Sequence, residues 1–118
     1  MKRVTLAAAV ALMCGNAFGA RTLEPIEGAY ELRLADVVLP ASPLGSLIVR
    51  SCTACDPVAL LVDGNTTYSL VGQAPITLAD FTVVAEQLRA SQGEDASVGV
   101  FYDLGTQRVT RVVLFPAH

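Results

Sequence analysis

The sequence predicts an α+β domain: a single, mostly antiparallel sheet of about five or six strands, with one helix packed on one face. Three observations carry that reading. Short β-rich apolar runs follow one another at turn-sized intervals between residues 30 and 71, and again between 98 and 115. One stretch, after Thr77, repeats apolar residues at helical spacing. No repeat, heptad or second long hydrophobic segment interrupts the pattern.

The chain opens with the three parts of a secretory signal. Lys2 and Arg3 are its positive start, Val4 to Cys14 an apolar run broken by Thr5, and Ala17-Phe18-Gly19 its cleavage site. The apolar run is too short to span a bilayer. Met13 is bulky where a lipid-modified Cys14 would want a small neighbour. The expected organisation is therefore a signal at 1–19, a flexible arm at 20–28 and a single α+β domain at 29–118, the arm kept irregular by Pro25.

Tyr30, Leu32 and Leu34 alternate with Glu31 and Arg33, the period of a half-buried strand. Val37-Val38-Leu39 extends it or begins a loop, and Pro40, Ser42, Pro43 and Gly45 break the pattern. Leu47-Ile48-Val49, Val58 to Val62 and Thr66 to Val71 are three further strands. Between the last two lies Asp63-Gly64-Asn65, a hairpin signal because Gly and Asn tolerate the positive φ of primed turns. A turn at Gly64-Asn65 sets Leu61 opposite Tyr68 and Ala59 opposite Leu70.

Thr77 caps the predicted helix, with Asp80 near its positive end. Leu78, Phe81, Val84, Ala85 and Leu88 share one face, and Gly93 terminates it. The chain ends in a second hairpin, Val98 to Tyr102 and Arg108 to Phe115, about a turn at Asp103-Leu104-Gly105-Thr106. Gly99 inside that hairpin marks a bulge or a close approach.

Removing 19 of the 118 residues leaves 99, and takes Lys2 and Arg3 from the eight basic residues. Six scattered arginines then face eleven acids, a net charge of −5 with no lysine. Nucleic acid and anionic membranes select for a basic footprint, so neither is an expected partner.

Cys14 leaves with the signal, and Cys52 and Cys55 remain as a Cys-x-x-Cys pair. The first reading is a structural disulfide across the turn between two strands, as small exported domains use cysteine. The second is thiol–disulfide exchange, with Cys52 attacking and Cys55 resolving. Asp56-Pro57 could begin the helix that such a site needs, and Arg50 could favour a Cys52 thiolate. Against it stand the β-rich Val58 to Val62, Asp56 beside Cys55, and the absence of a nearby Lys or His. One pair and His118 fall short of four zinc ligands, and a Cu(I) site would need the pair kept reduced. No metal or cofactor is expected.

A terminal His118 is a poor catalytic base. Asp56, Asp63 and Asp103 sit at strand ends, where aspartate ordinarily serves turns. Asn65-Thr66-Thr67 matches a glycosylation acceptor. Tyr30, Tyr68, Phe101 and Tyr102 could form an exposed aromatic patch, though about half should be core. The expected function is a non-enzymatic binding or envelope-associated interaction domain, exported to the periplasm or secreted, with a protein or small-molecule partner.

Overall fold

The computed structural model describes residues 27–117. The expected signal, most of the expected arm and His118 lie outside them. The first strand, β1 (Glu27–Arg33), takes in Glu27 and Gly28 from that arm. A 3-10 turn at Leu34–Asp36 bends the chain into the two-residue β2 (Val37–Val38). Then come β3 (Ser46–Val49), β4 (Val58–Leu61), β5 (Thr67–Leu70), the helix α1 (Leu78–Gln92), β6 (Ser97–Asp103) and β7 (Val109–Phe115).

The fold is α+β, but the strands form two sheets rather than one. A mixed four-stranded sheet has the order β1-β6-β7-β5, and a three-stranded antiparallel sheet the order β2-β3-β4. The expected hairpin also fails: β4 and β5 do not pair, Leu61 lying opposite Ser46 and Tyr68 opposite Val112. β5 instead runs parallel to β7, while the other four strand pairings among the described residues are antiparallel, so the strands are mostly antiparallel as expected.

The reason lies in residues 63–66. Among the described residues positive φ occurs at Gly72, Gly93 and Gln107, and not at Gly64 or Asn65, so this turn lacks the twist that folds a strand back on itself. Instead the Asp63 carboxylate accepts the Asn65 N–H at 2.8 Å, and the Thr66 N–H reaches the Asp63 carbonyl at 3.0 Å. Beyond that Asx turn the chain keeps its heading. Leu61 bridges Arg108 in parallel before the turn, and Thr67 pairs with Arg111 after it. β4 and β5 are thus two halves of one path along β7, with Asp63-Gly64-Asn65 looped out between them.

β1 and β2 are likewise one bent path. The Leu34 N–H donates to Ala96 on the β6 side of the bend, and the Arg50 N–H donates to Asp36 on the β3 side. Five paths result: β1/β2, β3, β4/β5, β6 and β7. Their neighbours run first, second, third, fifth, fourth and back to first, with the third and fifth parallel and the helix between third and fourth. That connectivity is of the five-stranded Greek-key barrel called the OB type.

The inward-facing residues of every path fill one core. Leu32, Leu47, Leu60, Val98, Val112 and Leu114 are all buried. α1 begins as expected, the Thr77 hydroxyl accepting the Asp80 N–H at 3.1 Å. It ends at Gly93, whose N–H donates to the Arg89 carbonyl. Phe81 and Ala85 are buried, and the Phe81 ring tilts against Tyr68 with centroids 5.3 Å apart. One Arg89 guanidinium nitrogen donates to the Val37 carbonyl at 2.9 Å, tying the helix to the β1/β2 bend.

The last hairpin forms, with its irregularity between Phe101 and Tyr102. Gly99 is the close approach. A Cβ there would meet the rings of Phe101 and Phe115, each at 3.3 Å, so both rings lie over the glycine on the outer side of the sheet.

Candidate functional site

The cysteine pair lies in the loop from Arg50 to Pro57, joining β3 to β4. Cys52 and Cys55 are disulfide-bonded, with Cα atoms 5.0 Å apart. The Cys55 N–H donates to the Cys52 carbonyl at 3.1 Å, so the sulfurs bridge a backbone turn. Arg50 anchors that turn from below. Its N–H donates to Asp36, and its guanidinium donates to the Cys55 carbonyl at 3.1 Å.

Pro57 leads into β4 rather than into a helix. The Arg50 guanidinium is turned to a carbonyl. Cys52 is nevertheless exposed and Cys55 partly so, which leaves the bond open to a reductant.

The aspartates act as turn residues. An Asp63 carboxylate oxygen accepts from Arg108 at 2.9 Å, and this bond, with that from Asn65, holds its pKa below the usual carboxylate range. Asp103 is lowered chiefly by the Thr106 N–H and next by that of Gly105, at 3.0 and 2.8 Å. Asp56 is exposed beside Cys55. No three His, Cys, Asp or Glu among the described residues gather as a metal site.

The aromatics separate. Tyr68 is core, and burial raises its pKa. Tyr30 and Tyr102 stack at 5.2 Å, and Tyr30 is raised first by burial and then by Tyr102. Phe101 lies on the outer face of the large sheet, with the Arg111 guanidinium 3.8 Å above its ring. They do not meet in one patch.

The feature that sequence reading missed is the outer face of the three-stranded sheet. Val37, Leu47, Val49 and Leu60 point into the core, so Val38, Ser46, Ile48, Ala59 and Leu61 point out. Register sets Val38, Ile48 and Ala59 side by side in one cross-strand row. Leu61 lies opposite Ser46 in a neighbouring row. Val38 is 61% exposed and Leu61 58%, and Leu44, just before β3, is 77% exposed. No charged residue occurs in β2, β3 or β4. The signal was present in the sequence: Val37-Val38-Leu39, Leu47-Ile48-Val49 and Val58 to Val62 are unbroken apolar runs, where a strand with one wet face should alternate.

A second apolar feature is an open groove of about 370 Å³ between the β2–β3 loop and the first turns of α1. It is lined by Pro40, Ala41, Pro43, Leu78, Ala79 and Thr82. Among the described residues no helix is long and apolar enough to cross a membrane. Comparison with protein-family models, with curated proteins and with solved structures gives no match.

Proposed function

We propose that this chain is a small exported, non-enzymatic binding domain that holds an apolar, uncharged stretch of a partner protein against the outer face of the three-stranded sheet. The observation that carries the reading is the Val38–Ile48–Ala59 row, with Leu61 beside it, on strands without a single charge. Contiguous exposed apolar surface marks interaction sites in soluble domains. The acid excess of the sequence speaks against nucleic acid or anionic lipid there.

In this reading the Cys52–Cys55 disulfide is a structural clasp on the loop at one end of that face. Its presence fits export to an oxidising compartment, periplasmic or extracellular. The test is selection of binding peptides from a displayed library on the oxidised protein. Recovered apolar peptides whose binding is lost in Leu61→Asp and Val38→Asp, with melting temperature unchanged, support the proposal. Binders indifferent to both substitutions, or no binders, contradict it.

One observation favours a second reading, thiol–disulfide exchange through Cys52 and Cys55: Cys52 is exposed. Insulin reduction by the protein, abolished by Cys52→Ser, would replace the first reading with this one.

A further inference from the structure

The edge of β1 that faces away from β6 pairs with nothing among the described residues. The Leu34–Ala96 hydrogen bond fixes the alternation along β1, so that Leu32, Tyr30 and Gly28 bond toward β6. The N–H and C=O groups of Glu27, Ala29, Glu31 and Arg33 therefore point outward, a ladder of four residues. Charged side chains on an edge strand normally discourage pairing. Here they carry both signs, and their order matters.

The geometry points to a second copy of this chain as the occupant, its β1 laid antiparallel on this one about a two-fold axis at Tyr30. That register sets Glu27 opposite the second copy's Arg33 and, by symmetry, Arg33 opposite the second copy's Glu27. Ala29 faces Glu31. Moving the axis one residue either way sets Glu27 against Glu31 or Glu31 against Glu31. Larger moves toward Arg33 carry the ladder past the 3-10 turn that closes β1 at Leu34. The charge pattern thus repels the neighbouring registers and attracts in one. Both ends are accessible, with the Glu27 side chain 37% exposed and that of Arg33 49%, and each keeps a partner in its own chain. Arg33 pairs with Asp36 at 3.1 Å, and Glu27 lies 3.7 Å from Arg111, so the intermolecular pair would extend an alternating Asp36–Arg33–Glu27–Arg111 row of charges.

A second feature agrees with the same axis. Tyr30 would face the second copy's Tyr30 at a non-hydrogen-bonded position, where cross-strand side chains come closest. Each ring is already backed by Tyr102, which stacks on Tyr30 and lies over Gly28. Pairing would join two four-stranded sheets into one of eight strands, leaving the apolar face of the three-stranded sheet free. This inference does not depend on the proposed function.

Sedimentation velocity of the purified protein over a concentration series tests it. The wild type is expected to dimerise, Arg33→Glu to weaken the dimer roughly tenfold, and Glu27→Arg with Arg33→Glu to restore most of the affinity. Ala29→Pro removes an N–H that points away from β6, so it should abolish the dimer and leave the fold intact, read by circular dichroism. A wild type monomeric up to about 1 mM, or a dimer that survives either Arg33→Glu or Ala29→Pro, overturns the proposal.

Discussion

Replacing both Cys52 and Cys55 by serine tests the clasp quantitatively. The disulfide closes a loop of four residues, for which the loss of unfolded-chain entropy corresponds to about 2 kcal/mol at 25 °C. The folded state should change little. The Cys55–Cys52 backbone bond and both Arg50 contacts hold the turn without the sulfurs, and β3 and β4 stay paired on either side. The loss should therefore come from the unfolded state, as a fall of about 2 kcal/mol in urea unfolding and roughly 8–16 °C in melting temperature for a domain of this size. Far-ultraviolet circular dichroism of the folded variant should match the wild type. A change below about 0.5 kcal/mol would mean that the bond restrains nothing the chain does not already avoid. A variant without cooperative unfolding would mean that the sulfurs organise β3 and β4, and the local account would fail.

Thr66→Val should cost about 1–3 kcal/mol by urea unfolding, because the buried hydroxyl donates to the Val109 carbonyl at 2.7 Å and accepts the Asp63 N–H at 3.1 Å; a neutral result would show that the looped-out turn is held otherwise. Gly99→Val should cost about 1–3 kcal/mol by displacing the Phe101 and Phe115 rings from the outer face, and unchanged ring resonances in the NMR spectrum would contradict that placement. Asp63 and Asp103 have folded pKa values below their ordinary ones, so their stabilisation is fully present above the unfolded pKa near 4 and is lost as pH falls through the lower folded values. Asp63→Asn with Asp103→Asn should therefore flatten the fall in stability below about pH 4, measured by urea unfolding at stepped pH; an unchanged acid limb would assign that fall to other carboxylates.

The helix, the final hairpin and the cysteine bridge were legible because each is specified locally. Thr77, the Phe81–Ala85 stripe and Gly93 lie within one segment, and Asp103 closes its turn on its own neighbours. The path from β4 to β5 was not legible, because Asp-Gly-Asn suits a primed hairpin turn and an Asx turn equally well. What decides between them is the Thr66 hydroxyl on Val109, a contact spanning 43 residues. With the hairpin wrong, β4 was given the wrong neighbour, and the register that lines up Val38, Ile48 and Ala59 stayed hidden. The runs Leu47-Ile48-Val49 and Val58 to Val62 look like strands buried on both faces, yet they have one face in water.

The most direct test of a binding role on that face is a chemical-shift map. A selected peptide would be titrated into the isotope-labelled protein and amide shifts followed residue by residue. The account predicts that the largest changes fall on Val38, Ile48, Ala59 and Leu61, with the turn at Cys52 and Cys55 at most grazed. Changes centred on the disulfide loop, or on the Phe101 side of the large sheet, would contradict it.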